Sequence, residues 1–360
     1  MTTRLKEGAG RHMRQRRGAA AVAAAACLTA TIAGCSTSAK ETATADPTPR
    51  NATVCVAASA SASRPLAESY LEALKEHAKS GATVEQLVTA ETPQEAVKHA
   101  VAKGCGVIAT LAPSMAAAAR EAAAANPDIV FEVAGFQPSK RLPKNLVPLN
   151  PGFDEAAFLA GYAAAATTRS GILGVMTAST GDSAVAQGFA QGVDFYNQAK
   201  GTGIVVQGWN AASRKATAVT SEAEVTSHVG TYLAQGADIV LVAAEAYSPA
   251  AIAAVKEAES DASLIFVGSD AWETIPDSHE VVMTSLLSDP TPVAATMLTY
   301  ATDNALHDHA DIGFTQRIEG AHLADFRDYG VRLSDEVKEE LERLRDQIDK
   351  REIPIGKERK

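Results

Sequence analysis

Aromatic residues are scarce in this chain of 360 residues, at 5% of the total, so the core must be built mostly from Ala, Val, Leu and Ile. No Lys/Arg-rich cluster lies beyond the N-terminal region, and the formal net charge is −10. That charge balance removes the electrostatic footprint a nucleic-acid partner requires. Enzyme motifs are missing as well: there is no G-x-S-x-G, S-x-x-K, H-E-x-x-H, Walker A or G-x-G-x-x-G segment, so no catalytic residue and no cofactor is assigned. His307 and His309, with Asp308 and Asp311, read as a solvated polar loop and not as a metal site.

What is present begins with a distinctive N-terminus. Arg11, Arg14, Arg16 and Arg17 form a basic segment, followed by an apolar run, Ala19 to Ala33, of about 15 residues. That length suits a signal peptide and is short for a spanning helix. The run ends in Ile32-Ala33-Gly34-Cys35, small residues ahead of a cysteine, which is the lipoprotein cleavage pattern. Residues 1–34 are therefore expected to be removed, leaving Cys35 as a lipidated first residue and a mature charge of −15. Acyl chains, not basic charge, would hold such a protein at the membrane, at about 0.8 kcal/mol per buried CH₂. Residues 35–51, rich in Ser, Thr, Ala and Pro, read as a flexible tether.

From Thr53 onward, short apolar strand-like runs alternate with helical patterns. Continuous apolar strands separated by helices imply parallel sheets covered on both faces. The expected fold class is α/β, with two doubly wound parallel-sheet lobes around a cleft. Residues 52–152 and 286–325 are assigned to the N-terminal lobe, and 153–285 and 326–355 to the C-terminal lobe. Thr92 and Ser334 are predicted N-caps, the latter opening an amphipathic last helix over 334–350. Cys55 and Cys105 fall near the starts of strands one and three, which are often neighbours in such lobes. The pair is expected to bridge.

In open α/β sheets, ligands meet the carboxyl ends of the strands. Reading those ends gives Ser59, Ser61 and Phe136 in the first lobe. The second lobe gives Thr180, Trp209, Glu245, Tyr247, Asp270 and Trp272. Aromatic faces stack on flat ligands, and carboxylates accept hydrogen bonds from hydroxyls or amines. The expected partner is a small molecule.

Phe153 followed by Phe158-Leu159-Ala160-Gly161-Tyr162 resembles the F-L-A-G-Y signature of the basic membrane protein family. The similarity continues through Gly171–Met176, Gln187–Val193 and Gln235–Val240, then Gly268-Ser269-Asp270 and Thr284-Ser285, to a tail over Ile348–Ile355. The resemblance implies a type I periplasmic-binding-protein fold and a substrate-binding lipoprotein of an ABC importer. Such a protein hands its ligand to permease and ATPase subunits and sits outside the cell membrane. Several family members bind nucleosides, with an Asp at the position of Asp270 expected to accept the ribose hydroxyls. Other nucleoside positions differ here: the family's Asp and Asn fall on Ser63 and Ala67, its Lys falls near Ser288, and its Gly-rich turn is replaced by Ala244-Glu245-Ala246-Tyr247. The expected ligand is a small polar molecule, either a nucleoside or another small cationic or aromatic ligand for which the site is rebuilt around Trp209, Glu245, Tyr247 and Trp272. The same pattern also fits an extracytoplasmic sensor without import; a neighbouring permease and ATPase gene pair would separate the two.

Overall fold

Two parallel sheets organise the chain. The computed structural model describes residues 53–356, apart from 60–63, 79–82, 85–87, 136–140, 179–183, 276, 303–315 and 318–320. The signal segment, Cys35, the tether and the His307–Asp311 loop lie outside the described residues.

The first half runs β1 (Thr53–Ser59), α1 (Arg64–His77), β2 (Thr83–Val84), β3 (Val88–Ala90), α2 (Pro93–Ala102), β4 (Val107–Thr110), α3 (Ala116–Ala125), β5 (Val130–Ala134) and β6 (Leu146–Asn150). The second half begins with α4 (Phe153–Thr167), β7 (Ile172–Thr177), α5 (Ala184–Lys200), β8 (Val205–Gln207), β9 (Trp209–Asn210), β10 (Lys215–Ala218), α6 (Glu222–Ala234) and β11 (Ile239–Ala243). It continues with α7 (Ser248–Glu257), β12 (Ser263–Gly268), α8 (Ala271–Thr274) and β13 (Val282–Ser288). The last stretch holds α9 (Pro290–Thr302), β14 (Gln316–Arg317), β15 (Ala321–Leu323) and α10 (Asp335–Asp349).

The first sheet has the order β14-β6-β5-β4-β1-β2, with β3 also beside β1, and every pairing is parallel. The second has the order β15-β13-β12-β11-β7-β10-β9, with β8 beside β7; only its edge pairs, β9–β10 and β13–β15, are antiparallel. A central strand such as β11 is apolar along its length because helices cover both faces. In the first sheet, α1 and α9 contribute Tyr70, Leu74, Val293 and Met297 to one core. Helices α2 and α3 contribute Val97, Ala100 and Ala119 to the other. In the second sheet, α4, α5 and α10 cover one face and α6 and α7 the opposite one.

Local chemistry sets the helix starts. Thr92 and Glu95 form a reciprocal capping box at α2, with Pro93 at the first helical position. The Ser334 hydroxyl accepts from Val337 N at 3.3 Å to open α10. Helices α4 and α5 pack backbone to backbone. A Cβ at Gly161, Gly188 or Gly192 would overlap the carbonyl oxygens of Phe189, Asp154 and Phe158 respectively.

The sulfur atoms of Cys55 and Cys105 are bonded, with Cα atoms 5.9 Å apart. The bond ties β1 to the residues leading into β4, its sheet neighbour.

The division between the halves differs from the sequence reading. Residues 286–288 and 321–323 belong to the second sheet, not the first. The ladder of β13 on β12 runs on until Leu287 pairs with Gly268, and an apolar sequence carries no mark at the point where it leaves a sheet. Among the described residues, α9, packed on the first core, and β14, paired with β6, cross back.

Candidate functional site

Strand order reverses once in each sheet, between β1 and β4 and between β7 and β11. At such a switch point the loops leave in opposite directions and open a crevice outside the carboxyl ends of the strands.

In the first sheet, Ser59 ends β1 at this position, 3% exposed and in register with Ala90. The adjoining Thr110 hydroxyl donates to the Glu132 carbonyl at 3.0 Å, so it serves the sheet. In the second sheet, Thr177 ends β7 in register with Ala243, and Ala178 N donates to the Ala243 carbonyl at 2.9 Å. Ser61, Phe136 and Thr180 lie outside the described residues, as does the side chain of Glu245.

Tyr247 closes a single 3-10 turn, Glu245–Tyr247, after β11, and its hydroxyl donates to the Thr220 carbonyl at 2.8 Å. The bond joins the ends of β11 and β10. One strand further, Asp270 follows β12 and caps the short α8: its Oδ1 accepts from Trp272 N at 3.1 Å. Asp270 Oδ2 stands 3.6 Å from Arg327 Nη2, and the same nitrogen donates to Glu273 Oε1 at 3.0 Å. The Asp270 side chain keeps 19% of its surface exposed and Arg327 keeps 37%. Trp272 is stacked on His279, with ring centroids 3.9 Å apart and planes 8° from parallel. Imidazole Nε2 lies 3.0 Å from the Trp272 carbonyl. One indole face is thereby covered, and the ring is held in a fixed orientation.

Asp270, Trp272 and Tyr247 thus follow neighbouring strand ends, and the structure adds Arg327 and His279 to them. Arg327 has no local signal, being 54 residues from Glu273 in the chain, whereas His279 follows Trp272 by 7 residues. A carboxylate beside a guanidinium and a fixed indole can orient a small polar ligand through hydroxyl or amine groups.

Trp209 is placed differently. Gly208, at φ +78, turns the chain so that β9 runs antiparallel to β10. The indole packs on the α4–α5 face, whereas Tyr247 packs on the α6–α7 face of the same sheet. The sequence reading treated the end of a parallel strand and the start of a hairpin alike.

The arrangement defines a class of protein: a two-lobed α/β binding protein of the type I periplasmic kind. An ABC transporter solute-binding protein from Aeropyrum pernix K1 superposes with a TM-score of 0.61 at 16% identity, over 85% of this chain and 94% of that one. A transcriptional activator of the comK gene from Bacillus halodurans gives 0.58 at 14% identity, over 84% and 99%. A solute-binding protein from Conexibacter woesei gives 0.53 at 15%, over 84% and 97%. Identities this low establish the fold alone. No curated protein matches the sequence.

The family is shown by the sequence itself: residues 59–355 match the Bmp family, and the chain belongs to these PnrA-like ABC transporter substrate-binding proteins. Its role is to bind a small molecule outside the cytoplasm and deliver it to the transporter; it is not an enzyme. Among the described residues, no helix is long and apolar enough to cross a membrane, and no group of three His, Cys, Asp or Glu side chains is placed to hold a metal ion.

Proposed function

We infer that this substrate-binding protein is anchored by a lipid on Cys35 and captures a small polar solute at the facing strand ends, with Asp270 as the principal hydrogen-bond acceptor of the second lobe. Ligand contacts to both lobes favour a closed form by their differential affinity for it. The observation that carries the reading is the position of Asp270, a partly exposed carboxylate after a central strand of the second sheet.

The ligand is a small hydroxyl- or amine-bearing molecule, a nucleoside among the candidates, although one of the family's nucleoside contacts is replaced here. Ser288, near the position of the family's Lys, is 8% exposed and accepts a hydrogen bond from Tyr70 at 2.9 Å. That hydroxyl joins α1 to the end of β13 and supplies no positive charge to a ligand.

A thermal-shift screen of nucleosides, polyols and amines followed by calorimetry tests the assignment. Asp270→Ala is expected to weaken binding of the ligand found by roughly tenfold or more, equivalent to about 1.4 kcal/mol, while the protein stays folded. Unchanged affinity would remove Asp270 from the site. For the anchor, Cys35→Ala is expected to release the protein from membranes into the soluble fraction; retention at the membrane would contradict it.

A further inference from the structure

In the first sheet the amino ends of four strands form one rim. Gly106 N donates to the Thr53 carbonyl at 2.9 Å, Val130 N to the Gly106 carbonyl at 2.9 Å, and Phe131 N to the Asn145 carbonyl at 2.8 Å. The starts of β1, β4, β5 and β6 therefore lie side by side, opposite the strand ends that include Ser59. The loop into β6 is fastened to this rim. The Asn145 side-chain amide donates to the carbonyls of Ala123 and Asn126 at 3.0 Å and of Ile129 at 2.8 Å. Arg120 Nη2 donates to the Arg141 carbonyl at 2.8 Å.

Among the described residues, the exposed charges in the closing turns of α1, α2 and α3 and in the loops entering β4, β5 and β6 are Lys75, Lys103, Arg141 and Lys144 against Glu76 and Asp128. No ion pair with a described residue engages Lys103, Arg141 or Lys144. A cation at a helix C-terminus, such as Lys75 or Lys103, is favoured by the helix dipole wherever it lies. Arg141 and Lys144 are on no helix, so the dipole does not account for them. The rim thus carries an excess of positive charge in a chain whose net charge is −10. Thr53 is also where the chain enters the fold. Under the anchor proposed above, 17 residues separate Cys35 from Thr53, a span of at most about 60 Å. The acyl chains therefore hold this rim, and not the opposite one, nearest the lipid.

We propose that this rim is a docking surface for an anionic membrane, whose negatively charged phospholipid headgroups meet Lys103, Arg141 and Lys144 once the anchor is inserted. The inference rests on the Cys35 anchor. Acyl chains supply attachment and the rim supplies orientation: basic side chains are attracted to anionic headgroups within a Debye length, ~8 Å at physiological salt. Tethering makes so weak a contact effective by raising its local concentration. Docked this way, the first lobe turns the carboxyl ends of its strands away from the bilayer, toward solute arriving from outside. A contact carried by a few charges stays reversible, which leaves the lobe free to quit the surface for the permease.

The test uses the protein purified with its anchor and reconstituted into vesicles of phosphatidylcholine alone or with equal phosphatidylglycerol. A fluorophore is attached at Ala125→Cys, an exposed rim position, or at Gln94→Cys, exposed at the opposite end of α2. Spin-labelled headgroups quench whichever label lies close to them. In phosphatidylglycerol vesicles the rim label is expected to be quenched more than the other. The population in contact is expected to fall roughly tenfold in phosphatidylcholine alone, at high salt, and on combining Lys103→Gln, Arg141→Gln and Lys144→Gln, with folding checked by circular dichroism. Failure to float with either kind of vesicle rejects the Cys35 anchor, and the docking with it. Flotation with equal quenching of the two labels, or rim quenching indifferent to phosphatidylglycerol or to the three substitutions, overturns the docking surface alone.

Discussion

Glu132 is the residue whose environment most opposes its chemistry. It lies in β5, inside the first sheet, fully buried, and neither carboxylate oxygen has a hydrogen-bond partner among the described residues. Burial pushes its pKa well above the usual carboxylate range. Below about pH 4.3 the group is neutral in both folded and unfolded chains. As the pH rises, the unfolded chain ionises first, so the folded state loses stability up to the point where the native carboxyl itself ionises. Glu132→Leu is expected to raise stability near neutral pH by roughly 1–3 kcal/mol, the size of a buried unsatisfied polar group. It should also flatten the pH dependence, read from urea midpoints across about pH 4 to 7. An unchanged pH profile would show that Glu132 is ionised in the fold. Asp270 is the opposite case: it lies at a strand end, caps α8 and faces Arg327. Its place after a strand was legible in the sequence. Its partner was not, because Arg327 reaches it through the fold and not through spacing.

At the scale of elements, the segments that carry the family resemblance hold helices and turns together. Gly161 of F-L-A-G-Y lies where α4 meets the Phe189 backbone, and Gly188 and Gly192 lie where α5 meets that of α4. Asp238, from Gln235-Gly236-Ala237-Asp238, accepts from the Thr168 hydroxyl at 2.6 Å and from the Arg169 and Ser170 N–H groups at 2.6 and 3.1 Å. It thereby fixes the turn into β7. Helix α10 is fastened by Glu340, which accepts from Tyr162 and Lys200, both at 2.7 Å. Gly161→Ala is expected to lower stability by at least the ~1–3 kcal/mol typical of overpacking, because the obstacle is backbone and cannot swing aside. Thermal or urea unfolding checks this; a midpoint equal to wild type would mean that α4 and α5 can separate at little cost. These contacts explain why the sequence revealed the fold more fully than the ligand. Periodicity, caps and close-packing glycines are short-range signals, whereas a site assembled from several strand ends leaves only isolated residues along the chain. Trp209 illustrates the limit: its position after an apolar run resembles a strand end, and the turn at Gly208 carries it to the other face of the sheet.

Across the whole molecule, both sheets repeat one winding pattern, and each places its reversal beside its first strand in chain order, between β1 and β4 and between β7 and β11. The Cys55–Cys105 bond spans that reversal in the first sheet with a sequence separation of 50. A loop of that length contributes on the order of 4 kcal/mol through restriction of the unfolded chain. Bridging of strand neighbours could be anticipated from the order of such sheets. The crossing points of the chain could not, since β13 stays apolar through Leu286 and Leu287 while still paired to β12. The central claim is that a small solute sits at the strand ends and depends on Asp270. Native mass spectrometry of the protein isolated from its own cells tests this most directly. The account predicts a mass excess from one bound small molecule, lost on mild activation and absent from folded Asp270→Ala; a bare wild-type mass, or the same adduct on both proteins, would contradict it.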